Sequence, residues 1–125
     1  MGIVADSLLY FSIAREGQIY LSGFGSNSKG LVEIYHNNIW GTICSSGFTL
    51  QDSIVVCRQL GYNSAINHGD SYGSGFGSHW LNRVNCTGSE ASLTDCPRSS
   101  WGSGSCSFSN PVGVTCINGT ANIAL

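Results

Sequence analysis

FTLQDSIVVCRQLGY, residues 48–62, reads as a short amphipathic helix that carries one cysteine. The Thr49 hydroxyl suits an N-cap, because it can accept one of the unpaired amides of a first helical turn. Asp52, three residues on, completes a capping box close to the positive end of the helix. Leu50, Ile54, Cys57 and Leu60 recur at the spacing of one helical face, and Val56 widens it. Gly61 supplies the left-handed residue that stops the run. Cys57 therefore points into a core. A thiol placed there is an inert core residue, a nucleophile, a metal ligand or half of a crosslink, and that choice sets the class of the whole chain.

The other cysteines narrow it. There are six, Cys44, Cys57, Cys86, Cys96, Cys106 and Cys116, and no C-x-x-C pair occurs. Structural zinc usually needs such a pair, since one tight knuckle must aim two thiolates at one ion. The last four recur every ten residues with no matching repeat around them, which is strand-and-turn spacing. An even number of widely spaced cysteines in a chain rich in Gly points to disulfides and an oxidising compartment. A bridge closing about 60 residues contributes roughly 4 kcal/mol and one closing about ten nearer 3, against a net domain stability of about 5–15. Two N-x-[ST] sequons, at Asn85 (NCT) and Asn118 (NGT), agree with a secretory route. The expected location is extracellular, as a secreted protein or the ectodomain of a membrane protein.

At 125 residues the chain is one domain with a modest core. Only 10% of residues are charged, well under the roughly 25% usual for soluble domains, and 17 are glycine. That composition suits short strands joined by tight turns. The five basic residues, Arg15, Lys29, Arg58, Arg83 and Arg98, are scattered under a net charge of −2, so no basic stripe for nucleic acid exists. No run approaches the ~20 apolar residues of a membrane span. SLLYFSIA, residues 7–14, is too short and lacks the flanks of a signal peptide. Asp6 breaks a myristoylation pattern. Residues 1–16 read as an extension, either an additional strand or an appended start.

Residues 31–43, LVEIYHNNIWGTI, form the clearest hairpin. Val32, Ile34 and His36 alternate with Glu33 and Tyr35, and Asn37-Asn38 tolerates the positive φ of a two-residue turn. His36 sits at the hairpin end in a structural or solvent role. HGDSYGSGFGSHW, residues 68–80, has neither dinucleotide nor P-loop spacing and reads as a flexible connection into an apolar strand, HWLNRVNC. SEASLTDC suggests a helical turn capped by Ser89 with Glu90 in its first turn. NPVGVTCI reads as the last strand. No G-x-S-x-G elbow and no local Cys-His signature is present, and His68 and His79 flank the glycine loop without ligand spacing. No enzymatic chemistry is expected.

Taken together, VEIYHNNIWGTIC, VVCRQLGY, WLNRVNCTGSE, LTDCPRSSWG and VGVTC, in register with six cysteines, resemble the scavenger receptor cysteine-rich (SRCR) domain family, six-cysteine group A type. The resemblance runs from about Gln18 to Ile117 and implies an SRCR domain over 17–117 with a tail over 118–125. It implies an α+β fold, a curved antiparallel sheet cradling one helix, with pairs Cys44–Cys106, Cys57–Cys116 and Cys86–Cys96. Sequence alone leaves every pairing of six cysteines open. Ser28 and Tyr62 stand where the eight-cysteine subgroup carries one further bridge. The family binds cell-surface proteins, microbial or glycan surfaces and polyanions, often through calcium or magnesium held by carboxylates. The matching positions here are Ser45, Ser46 and Asn110 in one cluster and Asn82 and Arg83 in another, with Glu90 alone surviving near the second, so no metal and no other cofactor is expected. Asn82, Arg83, Arg98 and Trp101 are the candidate ligand contacts, since Arg and Trp dominate binding hot spots. The expected function is a non-catalytic extracellular recognition module; an accessory spacer or an adhesive oligomerising module is the alternative. No nucleic-acid partner and no membrane insertion are implied, and the oligomeric state stays open.

Overall fold

The computed structural model describes residues 13–73, 78–103, 106 and 110–119. Most of SLLYFSIA and the centre of the glycine-rich loop lie outside these residues. In chain order the elements are β1 (Ile19–Ser22), β2 (Lys29–His36), β3 (Ile39–Ile43), α1 (Leu50–Gln59), β4 (Ser64–Gly69), β5 (His79–Leu81), a short 3-10 helix (Leu93–Asp95) and β6 (Gly113–Ile117). The strands form one sheet in the order β4-β6-β2-β3-β5, with β1 paired to β2 off this path.

The eight-residue β2 organises the sheet. Its C-terminal half pairs with β3 (Tyr35 opposite Trp40), its middle with β1 (Ile34 opposite Ile19), and its start with β6 (Leu31 opposite Gly113). Asn37 and Asn38 have φ of 52° and 67°, both positive, as the two-residue turn requires. At the other end Gly30 has φ 156°, and a Cβ there would collide with the Ser22 carbonyl oxygen. The close approach of β1 to β2 depends on that missing atom. The pairs are antiparallel apart from β3–β5, which is parallel and slips register between Thr42 and Ile43. A parallel neighbour needs a long crossover, and here α1 and β4 lie within it.

Helix α1 is delimited by local chemistry. The Thr49 hydroxyl accepts from the Asp52 amide while the Asp52 side chain accepts from the Thr49 amide at 2.7 Å. At the other end Gly61, φ 96°, donates to the Arg58 carbonyl and Tyr62 to the Cys57 carbonyl, which is a Schellman closure. The buried face is rotated from the expected one: Asp52, Ser53, Val55, Val56 and Cys57 face inward, while Leu50 is 48% exposed. The cause is polar. Asp52 turns inward because its Oδ1 also accepts the Cys86 amide at 2.7 Å, and Ser53 donates to the Thr49 carbonyl at 3.0 Å. Satisfied in this way, both polar groups enter the core and displace Leu50 outward.

The core between helix and sheet holds Val32, Ile34, Ile43, Val55, Val56, Leu81, Leu93, Val112 and Val114, all fully buried or nearly so. Three bridges cross it or border it. Cys57–Cys116 ties α1 to β6, Cys44–Cys106 anchors the end of β3, and Cys86–Cys96 closes a ten-residue loop. No free cysteine remains.

Two further expectations change. The run HWLNRVNC is a strand only over His79–Leu81, because Arg83 takes φ 52° and breaks the extended path. The helical turn begins after Ser92, not Ser89, and Ser92 makes no side-chain cap. Glu90 folds back instead, with its carboxylate accepting the amides of Thr87 (2.9 Å) and Gly88 (3.0 Å). A charged acceptor takes those amides in preference to a neutral hydroxyl.

Candidate recognition face

The segment after β5 is clasped against the segment after Cys96. Asn82 donates its amide to Ser99 Oγ (3.0 Å) and accepts the Ser99 amide (3.1 Å), and Asn85 donates to the Pro97 carbonyl (2.9 Å). The clasp places Arg83 and Arg98 on neighbouring stretches. Val84 turns inward and is buried, which leaves Arg83 exposed. The left-handed backbone at Arg83 is what separates the two directions.

Arg98 is steered by an aromatic ledge. Its guanidinium lies 4.6 Å from the centre of the Trp101 ring, and its Nη1 donates to the Ser99 carbonyl at 3.1 Å. Trp101 is stacked on His36 with ring centres 4.0 Å apart and planes 2° from parallel, and Trp80 stands edge-on to both. Trp80 is itself pinned, donating from Nε1 to the Ile39 carbonyl at 2.9 Å. The ledge closes with a hydrogen bond between His36 Nδ1 and one carboxylate oxygen of Glu16, whose second oxygen accepts the Asn37 amide. The hydrogen bond to His36 holds the Glu16 carboxyl below its ordinary range.

Of the four candidate contacts, Arg83 is exposed, Arg98 and Trp101 are half-buried, and Asn82 is turned into the clasp. The Asn82 Nδ2 donates to the Ser103 carbonyl at 3.2 Å, while its buried Oδ1 has no partner among the described residues. Trp101 is thus largely a wall that fixes Arg98. Glu16, His36 and Trp80 belong to the same ledge; of these only His36 drew notice in the sequence, as a structural or solvent-facing residue at the hairpin end, and none as part of a recognition face. They lie far apart along the chain, and the one local signal was an aromatic-rich hairpin mouth. Among the described residues no carboxylate lies within ion-pair distance of Arg83 or Arg98, so neither spends its charge on one. A guanidinium in that condition offers a planar fork of donors to an acidic ligand.

The cation positions do not fit a divalent metal. Ser45 donates its amide to the Asn110 carbonyl at 3.0 Å, which brings Ser45, Ser46 and Asn110 together, but as hydroxyls and an amide. Asn82 and Arg83 supply an amide and a positive charge. Hard divalent ions take carboxylate oxygens, and these sets contain none. Two other crowded groups, Cys44 with His79 and Cys106, and Cys86 with Glu90 and Cys96, have their sulfurs in disulfides. A metal takes the thiolate, so each group retains a single donor. The Glu90 carboxyl is already engaged, held down to about 2 chiefly by the Thr87 amide. Both sequon asparagines, Asn85 and Asn118, are exposed.

Comparison with known proteins places this geometry. Residues 22–117 match the family model of the scavenger receptor cysteine-rich domain. Lysyl oxidase homolog 4 of Bos taurus is 43% identical over 102 residues, covering 79% of this chain and 14% of that protein. Macrophage receptor MARCO of Mus musculus is 45% identical over 94 residues, covering 74% and 18%. The chain therefore spans less than a fifth of each of these relatives. Among solved structures, the dimeric form of the SRCR domain of mouse MARCO superposes with a TM-score of 0.66 at 39% identity, over 86% of this chain and 97% of that one. The third SRCR domain of murine neurotrypsin gives 0.71 at 39%, over 79% and 94%. With the matched span, the curled sheet around one helix and the three bridges in agreement, the chain belongs to the scavenger receptor cysteine-rich domain family.

Proposed function

We propose that this domain is a non-catalytic, extracellular recognition module that engages acidic or polyanionic surfaces through Arg83 and Arg98, without a divalent cation. The observation that carries the reading is the pair of guanidiniums on clasped neighbouring segments, one of them fixed by Trp101 and neither paired with a carboxylate among the described residues. Extracellular placement is supported by three disulfides and by the receptor relatives. Among the described residues no helix is long and apolar enough to cross a membrane. The oxidase in the name of one relative does not carry over, because the match reaches 14% of that protein.

The test is binding to a dextran sulfate surface, with neutral dextran as control and with and without chelator. Arg83→Glu and Arg98→Glu each weaken binding by about tenfold, the size expected of a hot-spot arginine. Chelator leaves affinity unchanged, and added salt weakens it by screening. Affinity that collapses in chelator, or that ignores both substitutions, refutes the reading. A second reading, self-association, is favoured by the exposed Phe24, Ile66 and Ile117 and by the relative solved in dimeric form. Light scattering across a concentration series decides it.

A further inference from the structure

The clasp that positions the arginines also carries the triplet Asn85-Cys86-Thr87. Asn85 is exposed, sits two residues from Arg83, and bonds through its amide to the carbonyl of Pro97, the residue before Arg98. Its side chain makes no hydrogen bond among the described residues, so the exposed carboxamide is free to carry a substituent on the segment that holds Arg83 and is clasped to the one that holds Arg98. The middle residue behaves in the opposite way. Cys86 is buried, bridged to Cys96, and its amide is held by Asp52.

We infer that Asn85 carries an N-linked glycan that partly covers the Arg83–Arg98 face and so sets the affinity of the domain. The covering half of this inference rests on the recognition face proposed above. The transfer forms a bond between Asn85 Nδ2 and the anomeric carbon of a sugar presented on a lipid-linked diphosphate. The glycosyl–oxygen bond to phosphate breaks, its electron pair leaves with the diphosphate, and Nδ2 gives up one proton. An enzyme gripping Asn85 and Thr87 together needs the residue between them to move. Once Cys86 is bridged and bonded to Asp52 it is immobile, so transfer precedes closure of the Cys86–Cys96 loop. Bulk anchored beside Arg83 then obstructs a large flat polyanion, and a glycan that leaves the face open about a third of the time weakens apparent affinity about threefold.

The experiment uses the full chain secreted from glycosylating cells. Glycosidase treatment that converts a glycosylated Asn to Asp marks Asn85 in the peptide map, and the mark disappears in Asn85→Gln and in Thr87→Ala. Supplying mild reductant during biosynthesis raises occupancy at Asn85. Asn85→Gln and Thr87→Ala, which remove the glycan without adding a charge, bind dextran sulfate about threefold more tightly than the glycosylated chain. An unmodified Asn85 in secreted, bridged protein overturns the modification. A modified Asn85 whose removal leaves affinity unchanged overturns the covering role. Adding Arg83→Glu to Asn85→Gln separates these from the parent reading: binding that is indifferent to Arg83 and Arg98 sinks the recognition face while the peptide map stands.

Discussion

The two long bridges interlock, and this fixes what each contributes. Cys44–Cys106 and Cys57–Cys116 have sequence separations of 62 and 59. With Cys86–Cys96 intact, either bridge formed alone closes a path of about 50 residues and contributes about 4 kcal/mol by chain entropy. When one is already in place, the ends of the other are joined by a shorter route: thirteen residues from Cys44 to Cys57 and ten from Cys106 to Cys116. A loop of about 23 residues is worth about 3.4 kcal/mol. Replacing Cys57 and Cys116 by Ala should therefore cost about 3.4 kcal/mol, plus the packing lost at two buried sulfurs. Removing both bridges should cost about 0.7 kcal/mol more than the two single losses together, because the second removal opens the longer loop. The assay is denaturant unfolding of the two single-bridge variants, the double and the parent, in one sulfate buffer that keeps the double variant folded. A single variant losing under about 1 kcal/mol, or a double losing less than the sum, refutes the loop argument.

Four smaller outcomes follow from the contacts. Asp52→Ala strands the buried Cys86 amide and the Thr49 cap, and should cost about 2–3 kcal/mol in thermal unfolding, more than a lost cap alone. Asn38→Ala should cost about 1 kcal/mol because its φ is 67°, whereas Asn38→Gly should not destabilise. Gly113→Ala drives a Cβ into the Tyr72 ring and should cost about 1–3 kcal/mol, with much of it recovered when Tyr72→Ala is added. The Glu90 carboxyl sits at about 2 in the folded protein against 4.5 unperturbed. Its stabilisation is complete above the unperturbed value and is lost as pH falls from there towards 2, so Glu90→Gln should flatten that part of an acid-unfolding profile.

How much of this was legible depends on the range of the interaction. The helix boundaries and the Asn37-Asn38 turn were readable because each is settled by a few consecutive residues: Thr49 with Asp52, Gly61 with Cys57, two residues that accept positive φ. The inward face of α1 was not, since the spacing of Leu50, Ile54 and Cys57 cannot reveal that a distant amide, that of Cys86, draws Asp52 into the core. β1 and β4 escaped for a related reason. Neither shows a clean alternation in sequence, and both gain their extended form from distant strands they pair with, β1 from β2 and β4 from β6. The ledge of His36, Trp80 and Trp101 is a meeting of three distant segments, invisible to local pattern. Arg98 and Trp101 were picked for their residue types, and only the fold shows that one serves to aim the other.

The crosslinks leave one region unprotected. All six sulfurs lie at or beyond Cys44, so β1, β2 and β3 are held by hydrogen bonds and packing alone. Tension applied between the chain's two ends should peel this hairpin region away first and then meet a hard stop at the Cys44 cystine. About 25 residues, from Ile19 at the start of β1 to Cys44, would be paid out at roughly 3.5 Å each, near 90 Å in all. On a tethered surface protein the domain would then act as a shock absorber of fixed stroke, yielding at one end while the clasp with Arg83 and Arg98 stays shut.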